Sequence, residues 1–558
     1  MKKLIELKRQ AQIEIEGQQS GNPRISILTG GCDAAAGSLA LTERFATETA
    51  NREITARIVA AGSLGWRQVE PLVAIDSPGN PRIFYPNVTP ELVSELVATL
   101  VDCSPRLDLA LATDAPGGLA GVPELSSLPF FATQRRVALR NVGTIDPEDL
   151  NDALAHDAYA GLERALAMSP EALIAEIQRT GLRTRGSGAQ VAHSWRLCRE
   201  TDAGQHFLIA DAAYGFEQSG PYDLLLEGDP HALLEGILIA AYASGANRAY
   251  LCIDPESNLA MRRAQLALEQ SYSAGLAGDD ILGSGFCCQI EICAVPRRLA
   301  AAEDTILISA LAGRRPQARA CPPAPESEGL FAKPTVVQDV ESLALLAPIL
   351  TRDADACGEF RETRIVQLGG ALIRTGFVEV PVGTPLSKIV EIAGGPLGSG
   401  LKAVQIGGPA GGWIPAANLD IALTADEMLK AGCTLGSASI FAATGETCAV
   451  DLARQAAVAA HSASCGKCSL GREGTRQMMD ILTDLARGRG ARSDLDLLLD
   501  IGDAMKAGSL CANGRNAPDA VLTTLQYFRS EFSAHVEAKH CPAHVCTGSE
   551  TGSARMSR

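Results

Sequence analysis

The sequence predicts a multidomain α/β protein that ends in a helical bundle, and three observations carry that reading. The chain has 558 residues, more than one ordinary domain and suggestive of roughly three or four. Between residues 24 and 350, apolar runs of strand length alternate with helical signals, as in packed α/β layers. From 425 to 535 helical periodicity dominates, as in DLDLLLDIGDAMKAG at 494–508.

Along the chain, 24–28 (RISIL) reads as a strand, followed by a small-residue turn and a helix near 39–50. Apolar runs follow at 57–61 and 71–75. Segment 88–101 reads as a helix with Thr89 as N-cap and Pro90 in the first turn. Residues 104–130, rich in Pro, Gly and Ala, read as a linker or a separately packed loop. Asp146 and Pro147 open a helical segment. Ser169 caps the next, with Glu171 in its first turn and Gly181 as C-cap. A strand at 207–210, a helix at 230–245 and a strand at 248–253 follow. Residues 364–420, rich in β-branched residues and glycine, predict a compact β-rich module. From Cys541 onward the chain lacks periodicity and reads as a mobile tail.

Lysine and arginine number 49 against 65 acidic residues, a net charge of −16. Nucleic acid and anionic membranes need a basic face, so neither is an expected partner. The most apolar stretch, 232–246, carries Glu235 and is too short to span a bilayer, so the chain is not expected to be an integral membrane protein. Acidic residues interrupt the lysine-bearing start, which does not read as a signal peptide. A cytoplasmic protein is expected. Its sixteen cysteines then read as buried hydrophobes or metal ligands rather than disulfides.

The strongest chemical signal is SCGKCSLGREGT. Cys465 and Cys468 form a C-x-x-C pair, and Cys511 in SLCANGRNAP is a third candidate. Thiolates so spaced on a turn can converge on an iron–sulfur cluster or a zinc ion, or act as a redox pair. In its context the region resembles the helical cluster-binding domain of the NADH-binding flavoprotein subunit of respiratory complex I. The same domain serves the diaphorase subunits of NAD-linked hydrogenases and formate dehydrogenases. That family's C-G-x-C-x-P-C-R and S-x-C-x-x-G-x-x-A-P motifs match at Ser464, Cys465, Gly466, Cys468, Arg472, Gly474, Thr475, Ser509, Cys511, Gly514, Ala517 and Pro518. Gly471 stands at the third cysteine position and Leu470 at the proline. The resemblance implies a [4Fe-4S] site with Cys465, Cys468 and Cys511 retained, and water, Ser469 or His461 at the fourth iron.

The resemblance extends upstream. Residues 181–200 are similar to the family's glycine-rich flavin loop and keep Arg185, Gly186, Gly188 and Trp195. Ser187 replaces a glycine there, Gln190 and Val191 replace Phe-Pro, and the lysine before Trp195 is absent. The family's L-L-E-G-D-P-H is intact at 225–231. In the N-x-D-E-G motif before it, Asp211 stands for the Asn, Ala213 for the Asp and Tyr214 for the Glu, while Gly215 is kept. At 295–307, Glu303, Asp304 and Thr305 remain, but Pro296, Arg297, Arg298 and Leu299 replace a glycine-rich half. Gln338 and Asp339 replace the family's flavin-contacting Asn pair. The resemblance thus makes Arg185, Gly186, Gly188, Asp211, Gly215, Glu303, Gln338 and Asp339 the candidate cofactor positions for FMN and NAD. It assigns no catalytic residue. The new arginines read either as a changed anion site or as a collapsed pocket in which they pair with carboxylates.

The first hundred residues resemble the thioredoxin-like [2Fe-2S] domain that accompanies this family. Its four ligand positions hold Leu28, Cys32, Ser63 and Arg67, while Glu70-Pro71 and Val88–Glu91 match. One thiolate of four implies that the [2Fe-2S] cluster is lost.

Taken together, the resemblance implies a thioredoxin-like domain at 1–103, a linker at 104–134 and an FMN/NADH-binding-like α/β domain at 135–355. A small β-grasp-like (ubiquitin-like) domain follows at 356–424, then a helical iron–sulfur-binding-like domain at 425–540 and a tail at 541–558. The expected function is a diverged NADH dehydrogenase (diaphorase) subunit of a multisubunit redox complex, kept as a non-catalytic docking paralogue. Its expected partners are other subunits of that complex, among them an intact flavoprotein or a ferredoxin-type subunit. One alternative is an active subunit that passes electrons from NADH through FMN to a [4Fe-4S] cluster. Another is a pocket repurposed for an anion or nucleotide through Arg185, Arg297 and Arg298.

Overall fold

The computed structural model describes residues 2–19, 21–28, 30, 34–102, 104–185, 188–213, 220–297, 303–352, 362–408 and 411–546. Helix Lys2–Gln19 packs against helix Leu150–Ala155 and sends Leu4 and Ala11 into the largest core. A five-stranded sheet follows, in the order Arg57–Ala61, Arg24–Leu28, Leu72–Asp76, Ile83–Tyr85, Ala112–Thr113. The first pair is parallel and the rest antiparallel. Alternation explains why strand Arg24–Leu28 is buried throughout. Ile25 and Ile27 meet Phe45, Leu96 and Val97 of helices Ala34–Asn51 and Pro90–Asp102, while Leu28 joins a core shared with residues 366–442.

The expected linker is packed structure. Ala112–Thr113 adds the fifth strand, and Phe130 stacks on Trp66 at 5.1 Å between ring centroids. The loop bearing Ser63 is pinned as well. A Cβ on Gly62 would lie 2.6 Å from the Gly228 Cα, so only glycine allows this approach.

The second sheet has four parallel strands, ordered Gln289–Ala294, Arg248–Ile253, Phe207–Asp211, Thr335–Asp339. From Phe207–Asp211 the chain steps outward twice, then returns to the opposite side of that strand. The resulting switch point, at the carboxyl ends of strands 207–211 and 335–339, is where open α/β sheets form a ligand crevice. Helix Pro230–Ser244 lies almost wholly buried behind the sheet, which accounts for its all-round apolar sequence. Its Glu235 is fully buried and accepts from the Leu162 amide at 3.0 Å. No helix among the described residues is long and apolar enough to cross a membrane.

The third sheet is ordered Gly376–Pro381, Thr363–Gly370, Ile440–Thr444, Leu401–Ile406, Trp413–Pro415. Its middle strand, Ile440–Thr444, lies beyond residue 424, where the sequence suggested that the β-rich module ends. Helix Ala425–Lys430 precedes this strand, and a five-residue apolar run between two helices carries no period of its own. The helices Ala449–Ser462, Thr475–Ala486, Arg492–Gly508, Asp519–Tyr527 and Arg529–Glu537 then pack around one core. Cys541 and Cys546, the start of the expected tail, are buried in that core.

Candidate functional site

Two sites emerge from the predicted residues: the crevice of the parallel sheet and a thiol-lined cavity in the helical domain. In the crevice, Arg185 precedes Gly188 on the glycine-rich loop. Gly188, at φ +69°, takes the left-handed conformation there, and Gly186 lies outside the described residues. The Arg185 side chain does not reach toward the crevice mouth. Its Nε lies 3.0 Å from Glu341, another nitrogen pairs with Glu362, and Nη2 donates to the Thr363 carbonyl at 2.6 Å. Burial pushes the Glu341 carboxyl up to about 7, with Arg185 acting in the other direction.

Asp339 is the N-cap of helix Val340–Ala344. It accepts from the Ser342 amide at 2.8 Å, and its other oxygen accepts from the Arg185 amide at 2.7 Å. Gln338 points into the core, where it accepts from the Trp195 indole at 2.9 Å and donates to Ser342 at 3.2 Å. Asp211, at the end of the neighbouring strand, accepts from the Ala213 amide at 2.9 Å. Burial pushes its carboxyl up to about 7, and Asp339 adds to the shift. Gly215 and Tyr214 lie outside the described residues.

Arg297 is 4 % exposed and fills the space behind the crevice. It donates to both Asp223 oxygens at 3.0 and 2.8 Å, to Asp254 at 3.0 Å and to Ser257 at 2.9 Å. Of the two sequence readings, the paired one describes this residue. Arg298 lies outside the described residues. The intact 225–231 stretch works in the interior. Asp229 caps helix Pro230–Ser244 and accepts from Asn141 at 2.9 Å, and His231 sits between Tyr159 and Gln270, at 3.0 Å from each. The matching half of the motif therefore builds the scaffold, and Asp211 and Ala213 of the altered half stand at the crevice.

These residues do not fit a flavin phosphate. Arg185 and Arg297, the two described arginines expected there, are each held by two carboxylates, and Asp211 and Asp339 place acidic groups at the sheet edge. A phosphate brought there would meet like charge, and neither Arg185 nor Arg297 is released to balance it.

The second site fits its group better. Cys465, Cys468 and Cys511 line one cavity of about 20 Å³, together with Ser464, Gly471 and Thr475. Cys511 caps helix Ala512–Asn516, and a π-helical turn, Leu470–Gly474, brings Gly471 to the cavity. A Cβ on Gly471 would lie 3.1 Å from the Cys468 sulfur. The fourth corner therefore points at the thiols but carries no ligand atom. His461 bonds instead to Thr475 at 3.2 Å, and Ser469 does not line the cavity. Glu303 reaches over from the α/β domain and accepts from the Ala512 amide at 3.2 Å, tying the two sites together.

Of the positions expected for an N-terminal cluster, Ser63 stands in a hydrogen-bonded turn. Ser63 accepts from the Gly65 amide at 2.8 Å and donates to Glu70, whose carboxyl burial pushes up to about 7. Arg67 lies over the Phe377 ring at 5.5 Å. Cys32 lies outside the described residues.

One group escaped the sequence reading. Cys448, His535, Cys541 and Cys546 bring their ligand atoms within 4.8 Å of one another. The available signal was the spacing of His535, Cys541 and Cys546, hidden by the aperiodic character of the last stretch.

Comparison with known proteins finds likeness in both regions. Residues 177–347 match the model of the Nuo51 FMN-binding domain, and 451–535 match the NADH-ubiquinone oxidoreductase-F iron–sulfur binding region. HndC, a subunit of an NADP-reducing hydrogenase from Solidesulfovibrio fructosivorans, is 34% identical over 422 residues, 74% of this chain and 86% of that protein. An NADH-quinone oxidoreductase subunit of Streptomyces coelicolor is 35% identical over 399 residues, 69% of this chain and 88% of that protein. The corresponding Escherichia coli protein is 30% identical over 415 residues, 72% and 93% respectively. Among solved structures, an NAD+-reducing [NiFe]-hydrogenase in the H2-reduced state shares the fold, with a TM-score of 0.63 at 22% identity over 96% of this chain and 92% of that one.

Proposed function

Because this chain belongs to the family of NADH dehydrogenase (diaphorase) flavoprotein subunits that includes HndC and its NADH-quinone oxidoreductase counterparts, we propose that it serves a multisubunit redox assembly as a non-catalytic docking subunit. One observation carries the reading. Among the described residues, Arg185 and Arg297 at the flavin position are paired with internal carboxylates, while the scaffold motif at 225–231 keeps its core bonds. A subunit kept for its shape needs the second and not the first. The strand order of the third sheet, with its middle strand parallel to one neighbour, supports the β-grasp-like reading of 356–424, with strand Ile440–Thr444 added to it. Cys465, Cys468 and Cys511 would hold a [4Fe-4S] cluster at three of its corners, and such a cluster would supply one-electron transfer. The partners are other subunits of the assembly, among them an intact flavoprotein, met in the cytoplasm.

The test is anaerobic purification of the full chain followed by flavin release, iron assay and a visible spectrum. Trace flavin, no spectral change with NADH, and co-purification with a flavin-bearing partner protein are expected. Stoichiometric FMN bleached by NADH would sink the docking role and establish the diaphorase alternative.

A second reading has its own observation. Arg297 Nη1 is buried without a hydrogen-bond partner among the described residues, beside Gly220 at the amino end of helix Pro221–Gly228. A small anionic group would meet that nitrogen and the helix dipole there, against the two carboxylates that already pair with Arg297. A thermal-shift titration with inorganic phosphate, lost in R297K, tests it.

A further inference from the structure

We propose that the corner of the Cys465–Cys468–Cys511 cavity left open by Gly471 is a binding site for a small anionic thiol, which completes the fourth iron from outside the chain. Its existence rests on the three cysteines holding a [4Fe-4S] cluster, and not on the docking role. Three thiols reach the cavity. Among the described residues that line it there is no fourth thiol, no imidazole and no carboxylate.

The hydroxyls beside the corner are committed elsewhere. Thr475 Oγ1 donates to the Gly471 carbonyl at 2.7 Å, and Ser464 Oγ donates to the same carbonyl at 3.4 Å. His461 meets Thr475 at 3.2 Å, and Ser469 lies off the cavity. These bonds fix the Gly471 backbone on its π-helical turn, while its missing side chain faces Cys468. A Cβ there would lie 3.1 Å from the Cys468 sulfur, closer than ordinary van der Waals contact. The chain itself therefore has little room to send a donor in from this backbone. A ligand that enters from the open side meets no such limit. The cavity holds about 20 Å³, room for one donor group, since a water needs roughly 10–15 Å³ on the same scale.

Access and charge select the ligand. Cys465 and Cys468 are half-buried and Cys511 is buried, so the cavity opens on the side of the C-x-x-C turn. Lys467 sits on that turn, lines the cavity, is exposed and has no ion-pair partner among the described residues. Arg472 adds a second cation: its Nη1 donates to the Gly466 carbonyl at 3.1 Å, and Glu473 pairs with it at 3.0 Å. Soft thiolates are the ligands that iron–sulfur centres take. A thiol that also carries a carboxylate would place its sulfur in the open corner and its charge beside Lys467. Binding is coordination alone. The incoming thiol gives its proton to solvent, its sulfur displaces solvent at the fourth iron, and nothing is oxidised or reduced. Without such a ligand the fourth iron has no side chain to hold it and is the one most readily lost.

The test is anaerobic reconstitution of the full chain with iron and sulfide, then iron assay and electron paramagnetic resonance with and without mercaptoacetate. Without thiol, about three irons per chain and the signal of an oxidised three-iron cluster are expected. Mercaptoacetate should raise the value to about four and remove that signal. Neutral 2-mercaptoethanol should need a roughly three- to fivefold higher concentration for the same change, and K467Q should abolish the difference. Lys467 is exposed, so this variant leaves the core packing intact. About four irons in the wild-type chain without thiol, unmoved by mercaptoacetate, would show that the protein fills the corner and would overturn the site alone. About three irons unmoved by either thiol would overturn it too, with the three-cysteine cluster left standing. Equal potency of the two thiols would overturn the choice of an anion. No cluster under any condition would overturn the [4Fe-4S] reading together with the site.

Discussion

Asp211 and Asp339 are direct register partners, the last paired residues of two adjacent parallel strands at the switch point of the second sheet. Two carboxylates thus occupy the edge where an open α/β sheet ordinarily receives a ligand. They are managed differently. Asp339 serves as a helix cap, held by the Ser342 and Arg185 amides. Among the described residues Asp211 accepts from one amide, at 2.9 Å, and burial beside Asp339 lifts its carboxyl to about 7.

That shift makes stability depend on pH. The folded chain holds the Asp211 proton to about pH 7, whereas an unfolded aspartate releases it near 3.8. Between those values the native state binds more protons, so this group's contribution to stability falls as pH rises and levels off above about 7. D211N removes the effect. Its advantage over wild type in unfolding free energy should grow between pH 5 and pH 8 by at most about 3 kcal/mol, at roughly 1.4 kcal/mol per unit up to about pH 7. An advantage that is equal at both pH values would mean that Asp211 is ionised throughout.

Arg297 should be a structural residue of the α/β domain. Its bonds to Asp223 and Asp254 are buried, and removing the cation leaves two carboxylates uncompensated. R297M is expected to cost about 3–5 kcal/mol. R297K keeps the charge but loses the planar fork and should fall between. Adding D223N and D254N to R297M should recover part of the loss. Urea unfolding read by the fluorescence of the three tryptophans checks the order, and an R297M as stable as wild type would remove Arg297 from the scaffold.

Much of this was legible because it is local. Thr89 and Pro90, Ser169 and Gly181, and the runs 57–61 and 248–253 all carry their signals within a few residues, and each element forms where they place it. The C-x-x-C pair was visible for the same reason. What stayed hidden depends on distant partners. Nothing near Arg297 or Arg185 in sequence says that Asp223, Asp254, Glu341 and Glu362 will capture them. Cys448 and His535 stand 87 positions apart, and only the packed helices bring them together. Strand Ile440–Thr444 was missed because its partners, not its own pattern, make it a strand.

Gly471 offers a gain-of-function experiment. Its missing side chain points at Cys468, so G471C completes the four-thiol set. Reconstituted anaerobically with iron and sulfide, G471C should bind more iron than wild type, approaching about four per chain with the broad absorption of a cubane. G471S is the steric control. In air the same variant should lose reactive thiols, because the new sulfur lands beside Cys468 and can oxidise with it. Iron content equal to wild type after anaerobic reconstitution would show that the fourth corner is not set for a ligand.

Glu379 joins the third sheet to the α/β domain, and its loss should separate them locally. It is fully buried on strand Gly376–Pro381. Its carboxylate accepts from the amides of Val137, Ala138 and Leu139 at 2.9, 2.9 and 3.0 Å, and from the Thr363 hydroxyl at 2.5 Å. Charge-assisted bonds of this kind contribute roughly 1.5–3 kcal/mol each, and an unpaired buried amide costs about as much. Glutamine is no substitute, since its NH2 would face two donors, Val137 and Leu139 at one oxygen position or Ala138 and Thr363 at the other. Both E379Q and E379A should therefore lower stability by several kcal/mol. Hydrogen exchange distinguishes this from general unfolding: the amides of residues 137–139 should lose protection first, while helix Arg492–Gly508 keeps its own. Unchanged protection at 137–139 in E379A would show that the neighbouring backbone, not the carboxylate, holds that turn.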